Sequence, residues 1–294
     1  MPDGTNKNII MKLNISDTDF LDALDSTIPQ NTDTVFILSR IWSFANRIDL
    51  PIEEIGAWLF DLIDEFIGPD RTLIYPAFTF SYGKTRRFDI IRSQPETGIL
   101  PQIALLRSAF RRTNAPMASY LVRGPRQEEA LSLQCTTTCG DDGMLGWFLS
   151  NNTRICAIGL EETNMGWCMV HYSEENAGVP YRYFKKMPGQ FYTDGIKSGT
   201  CADIHYVNPL NVNLRQDHSP LNYELKRSNL IMESPLENVP LRSVGAEDVV
   251  NISDELLNSD PFTFIVNKND ARHWIQFDKE NEISELKAEE RWKN

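Results

Sequence analysis

Apolar residues recur along this chain with two different periods, and their alternation predicts the architecture. Between Ile52 and Phe66 the apolar side chains fall at 52, 55, 58, 59, 62, 63 and 66, one face of a helix that Gly68-Pro69 stops. Ser16, with an acid at Asp19, reads as a helix N-terminus leading into Phe20 to Leu24. Shorter apolar runs of strand length lie at Thr34 to Ser39, Arg71 to Phe78, Ala118 to Val122 and Thr153 to Leu160. Gly98 to Phe110 reads as a further helix, and a helix carrying His171 follows the last of these strands. Strands alternating with helices predict an α/β fold, with a mostly parallel or mixed central sheet flanked by helices. From Met187 onward the pattern breaks into extended pieces at Phe191 to Thr193, Ile204 to Val207 and Val239 to Val244. These predict a C-terminal antiparallel subregion covering the sheet edge or a substrate site. Residues 1–268 are expected to form one domain, and 269–294 a charged C-terminal segment without assigned function.

Composition narrows the class. The 294 residues, 41% hydrophobic and 24% charged, describe an ordinary soluble globular chain with ample core. No apolar run approaches the roughly 20 residues of a membrane helix. The polar start Met1 to Lys7 has no signal-like apolar stretch behind it, so a cytoplasmic protein is expected. The net charge of −12 argues against nucleic acid and suits a cationic small-molecule acceptor. Five cysteines, an odd number, predict reduced thiols. Cys135 and Cys139 have a zinc-like spacing, but no second Cys or His pair follows, and no metal is expected. The chain also lacks a G-x-S-x-G elbow, a phosphate-binding P-loop and a dinucleotide fingerprint, which disfavours the common hydrolase, nucleotidase and dehydrogenase classes.

The most informative stretch is His171-Tyr172-Ser173-Glu174-Glu175. An imidazole and a carboxylate three residues apart on a helix share one face. A carboxylate that holds one ring nitrogen fixes the tautomer and raises the basicity of the other, as a general base requires. Glu175, at i+4, also faces His171 and is the alternative partner. By itself the pattern is common on solvated helices. Here it runs on into Gly178-Val179-Pro180-Tyr181-Arg182 and Lys185-Lys186.

With that continuation the segment resembles the aminoglycoside N3-acetyltransferase family, which carries H-x-A-E followed by a G-V-P-Y-R-like run. Three further blocks agree in order. Thr72 to Phe80 resembles the family's T-L-V-M-P-T-F-T strand; Phe88-Asp89, Ser93 and Gly98 to Leu100 resemble its F-D…S…G-x-L block; Pro116, Ser119 and Gly124 match its H-P-x-x-S…G segment. The resemblance spans roughly residues 30 to 266. Departures accompany it. Cys168 stands where the family has Thr, Ala115 replaces the His of H-P, Leu38-Ser39-Arg40-Ile41 replaces H-S-S-L, and Gly143-Met144 replaces S-P.

The resemblance implies a coenzyme A-dependent N-acetyltransferase with His171 and Glu174 catalytic, supported by Glu175, Cys168 and Thr79. Acetyl-CoA is then the cosubstrate. Ser39 and Arg40, at the family's thioester stretch, and Arg86 and Arg112, from basic clusters, are expected to hold it; solvated surface cations are the competing reading of those clusters. Tyr75, Tyr82, Arg182 and Tyr206 are expected near the acceptor, with core packing equally able to explain the aromatics. His205, His218 and His273 have no acid at helical spacing and read as structural or surface groups. The departures and the aromatic, basic stretch after the motif point to an amino-sugar acceptor, nucleotide-linked and destined for a surface glycan. A true aminoglycoside acceptor, a non-catalytic coenzyme A- or sugar-binding homologue, and a metal-dependent hydrolase using His171, Glu174 and a cysteine are the alternatives. A homodimer is also expected.

Overall fold

The computed structural model describes residues 15–273, apart from 46, 162–166, 210–211 and 237. The polar N-terminal stretch and most of the charged C-terminal segment lie outside the described residues. Helix α1 (Asp17–Thr27) opens with the expected capping box: the Ser16 hydroxyl accepts from the Asp19 N–H, and the Asp19 carboxylate accepts from the Ser16 N–H. Then follow β1 (Thr34–Ser39), α2 (Ile52–Ile67) and β2 (Thr72–Pro76). The next stretch is broken into short pieces: α3 (Tyr82–Thr85), β3 (Arg87–Asp89), α4 (Ile99–Leu105), β4 (Arg111–Arg112), β5 (Tyr120–Arg123) and α5 (Gln127–Leu131). Next come α6 (Met144–Ser150), β6 (Thr153–Ile158) and α7 (Met169–Asn176). The chain closes with β7 (Tyr183–Thr193), β8 (Ile196–Val207), α8 (Ser219–Arg227), β9 (Met232–Leu236), β10 (Val239–Gly245) and α9 (Ala246–Ser259). The helix expected over 98–110 stops early, at Leu105; beyond it Leu106 and Arg107 donate to Ile103 O and Ala104 O, tighter three-residue turns that end the helical ladder.

Seven strands form the central sheet in the order β4-β5-β2-β1-β6-β10-β9. Only its middle, β2-β1-β6, is parallel; β5, β4, β10 and β9 are added antiparallel. The sheet is therefore mixed. In β1, Thr34 to Ile37 are all buried, as a central parallel strand covered on both faces requires. Alternation along that strand feeds two cores. Phe36 faces α6, α7, α8 and α9, whereas Val35 and Ile37 face α1, α2 and α4. Ala271, just past the expected boundary at 268, is buried in the first of these cores. Among the described residues no helix is long and apolar enough to cross a membrane.

A second, three-stranded sheet, β3-β7-β8, lies beside the first. The β7–β8 hairpin turns on Asp194-Gly195, both at positive φ, as a two-residue hairpin loop requires. The Asp89 carboxylate accepts from the N–H groups of Asp194 and Gly195 at 3.2 and 2.6 Å and so docks the hairpin tip onto β3. This hairpin is the antiparallel subregion expected from the sequence. The expected piece at Val239, in contrast, belongs to the central sheet, pairing with β6.

Between the sheets, Ala77 and Thr79 donate their N–H groups to Ser119 O and Met117 O, so residues 77–80 run extended. Phe78 and Phe80 then line cavities on one side, while Ala77 and Thr79 face Arg112. The Arg112 guanidinium is buried. It donates to Ser119 Oγ at 2.8 Å, Thr79 Oγ1 at 2.7 Å and the carbonyls of Ala77 and Ser93, and lies 4.9 Å over the Phe88 ring. Burial lowers its pKa to about 10. Arg112 and Thr79, expected at the cofactor and the substrate, are thus spent in the core, because strand alternation turns them away from the cavities. Arg112→Ala leaves these acceptors unpaired in the interior and is expected to cost about 3 kcal/mol in urea unfolding. Arg112→Lys, a single point donor, should recover less than half of that loss.

Candidate active site

Helix α7 brings His171 and Glu174 together as the spacing predicts: His171 Nδ1 lies 2.7 Å from Glu174 Oε2. Glu174 is fully buried. Its Oε1 accepts from Tyr181 Oη at 2.8 Å and Gln216 Nε2 at 3.2 Å, and its Oε2 sits 2.9 Å from Arg182 Nη2. Burial alone would raise the carboxyl's pKa. The His171 hydrogen bond and the Arg182 charge outweigh it and hold the group down to about 2. Two groups compete at Nδ1: Glu174 Oε2, which only accepts, at 2.7 Å, and Arg182 Nη2, which only donates, at 3.4 Å. The nearer carboxylate favours the ring proton on Nδ1 and the lone pair on Nε2.

The chain after the helix explains why the motif extends beyond His171 and Glu174. Gly178, at φ +59°, donates its N–H to Glu175 O, and the Val179 N–H reaches Glu174 O at 3.2 Å. This is a Schellman ending, and it reverses the chain. Tyr181 and Arg182 come back onto the Glu174 carboxylate as a result. Arg182 is nearly buried and donates Nη1 to Tyr206 O at 3.1 Å. Glu175 points elsewhere and accepts from the Thr137 hydroxyl, so it is no substitute partner for His171.

His171, partly exposed, lines a cavity of about 410 Å³. Its walls are largely apolar, with Phe78, Phe80, Tyr120, Leu145 and Trp167 among them. Two more histidines line it. His218 lies at the start of α8, with its ring centroid 6.3 Å from that of His171. Burial first, and the neighbouring His171 second, lower its pKa to about 4, so it is neutral near pH 7. His205, on β8, has Nε2 3.3 Å from Asp203 Oδ1. Asp203 is buried and also accepts from the Met117 N–H and from Thr138 Oγ1. Both histidines were read from the sequence as structural or surface groups. His218 gave only its neighbour Asp217 as a signal; the Asp203–His205 pair is spaced by two, one face of a strand.

A groove of about 510 Å³ opens past the carboxyl ends of β1, β2 and β6. Leu38, Ser39 and Leu160 line it, and it shares Phe78, Phe80 and Cys168 with the histidine cavity. Of the expected cofactor residues, Ser39 is at this groove. Arg40 follows it and pairs with Glu161 at the surface, while Arg86 lies beside the second sheet and lines neither space. The expected substrate residues are dispersed. Tyr75 is buried on the far face against Phe60, and Tyr82 donates to Met187 O in the small core of the second sheet. Tyr206 donates to Val179 O, and Arg182 serves Glu174. Among the described residues no group of three or more His, Cys, Asp or Glu side chains is placed to hold a metal ion.

A mixed α/β sandwich carries this histidine–carboxylate pair past its strand ends. The chain belongs to the aminoglycoside 3-N-acetyltransferase family, whose profile matches residues 50–258. Its fold is similar to that of the aminoglycoside acetyltransferase AAC(3)-IVa apoenzyme, at 18% identity and a TM-score of 0.68, over 90% of this chain and 98% of that one. AAC(3)-IIb aligns at 16% identity and a TM-score of 0.69, over 84% and 98%. AAC-IIIb, solved as a binary complex with CoASH, aligns at 16% and 0.68, over 83% and 96%. No curated protein matches the sequence.

Two outcomes follow from the buried carboxylate. The folded pKa of Glu174 is depressed from the usual 4.5 to about 2, so its stabilisation is complete above pH 4.5 and is lost as pH falls toward 2. The stability gap between wild type and Glu174→Gln, read from urea unfolding at stepped pH, should narrow across that window. Gly178→Ala forces a Cβ into left-handed backbone with no neighbour in the way, so strain is its only cost. It should lower stability by about 1 kcal/mol, measurable as a shifted urea midpoint.

Proposed function

We propose that the protein transfers the acetyl group of acetyl-CoA to a primary amine, with His171 as the general base. The observation that carries this reading is the Nδ1 contact to Glu174, which leaves Nε2 as the basic atom beside the cavity. An amine with a pKa above neutral must shed a proton before it can attack a thioester. His171 takes that proton, directly or through one water, and the Glu174 charge stabilises the imidazolium that results. Acetyl-CoA supplies the activated acyl carbon. As the C–N bond forms and the C–S bond breaks, the proton held on His171 passes to the departing thiolate. The second proton that the nitrogen sheds on becoming an amide is taken up by the freed imidazole and released to water.

The groove past the strand ends suits a slim, mainly apolar arm, with Ser39, Thr97 and Glu96 as its polar lining and the half-exposed Arg40 at the same strand end. It meets the histidine cavity at Phe78, Phe80 and Cys168, so the two substrates have separate approaches to one meeting point. A nucleotide-linked amino sugar loses its main support, because Arg182, expected to grip an anionic handle, is committed to Glu174 and Tyr206. The non-catalytic reading is disfavoured because the departures at Leu38, Ala115 and Cys168 leave the His171–Glu174 pair in working geometry.

His171→Ala should lower turnover by roughly 10² to 10⁴-fold in a thiol-release assay, the range of general-base assistance, with an unchanged circular dichroism spectrum. A folded variant retaining near wild-type rate with a good acceptor would falsify the assignment.

A further inference from the structure

The histidine cavity has an unusual balance for an enzyme related to those that modify polycations. Among the described residues that line it there is no carboxylate. Glu174 and Asp203 are buried behind the wall and already engaged, and Glu96, in the adjoining groove, accepts from the Ser81 N–H. Glu174 serves His171, Tyr181, Arg182 and Gln216, and Asp203 serves Met117 and Thr138 with His205 beside it. A second or third ammonium entering the cavity would leave water without a counter-charge, and an unpaired buried charge is strongly unfavourable.

Hydroxyl groups fare little better. Thr138 Oγ1 donates to Asp203 and to Ile204 O, and Asn222 Oδ1 accepts from Trp167 Nε1. His218 Nε2 is buried with no hydrogen-bond partner, and His218 stays neutral near pH 7, so it can meet one polar group of a ligand. The remaining hydroxyls of a sugar ring would be stripped of water and find few partners. A single ammonium is better served: Phe78, Phe80, Tyr120 and Trp167 line the cavity and can cover an apolar body, and His171 Nε2 can accept one N–H.

We infer that the acceptor is a small primary monoamine with an aromatic or aliphatic body, not a polycationic aminoglycoside or a free amino sugar. This rests on the acyltransferase reading of the same site. The test uses the full-length protein with three probes: phenethylamine, glucosamine and kanamycin. Calorimetry on the coenzyme A-saturated protein reads binding, and thiol release from acetyl-CoA reads turnover. Phenethylamine should bind at least tenfold tighter than either other amine and give the highest kcat/KM. Kanamycin or glucosamine binding as tightly as phenethylamine, or no binding of phenethylamine, overturns the acceptor class. If phenethylamine binds best and no amine releases thiol, the acceptor class stands and acyl transfer falls.

Discussion

The site is organised by one constraint: an ionised carboxylate, Glu174, is held with no exposure to water. A buried charge is tolerated only when opposite charge and hydrogen bonds surround it closely. Here they come from three separate stretches. His171 comes from the same helix, Tyr181 and Arg182 from the chain that doubles back after Gly178, and Gln216 from the segment before α8. Each donor that satisfies Glu174 also fixes the element it rides on. The position of the imidazole is therefore a by-product of satisfying a charge, and the His171–Glu174 geometry is as stiff as the ion pair beneath it.

Much of the fold was legible because periodicity reports burial directly. The capping box at Ser16, the long amphipathic α2, and strands β1, β2 and β6 all fall where the apolar pattern places them. The sense of the strands was less legible, since apolar runs of equal length serve parallel and antiparallel neighbours alike. Val239 to Val244 reads as part of a separate subregion, yet it completes the main sheet beside β6. The hairpin of β7 and β8 had a local signal in Asp194-Gly195, whose positive φ values make the two-residue turn.

The candidate site was half legible. Helical spacing found His171 and Glu174, because partners three residues apart are a local property. Arg182 was noticed but given to substrate, since a sequence does not show that a Schellman turn folds it back onto Glu174. Tyr75 and Thr79 were misplaced by a single step of alternation: Ile74 and Phe78 lie on the site's side, and their neighbours on the other. His218 joins the cavity from a distant helix end, a contact that only the tertiary fold creates.

The departures from the family pattern gain a common sense once placed in space. Leu38 lines the groove, and Cys168 lies where groove and cavity meet, in positions the family fills with His and Thr. Burial raises the Cys168 pKa to about 12, so its sulfur stays a protonated thiol and not a nucleophilic thiolate. It therefore acts as a small hydrophobe and does not compete with the amine for the acyl group. Both changes trade a polar group for an apolar one along the path to His171. A passage altered at these two positions while the buried carboxylate network stays whole points to a changed acceptor in place of a lost reaction. Decay of catalysis would have been expected to loosen Glu174 first, because an ion pair without function is the costliest feature of the site to keep.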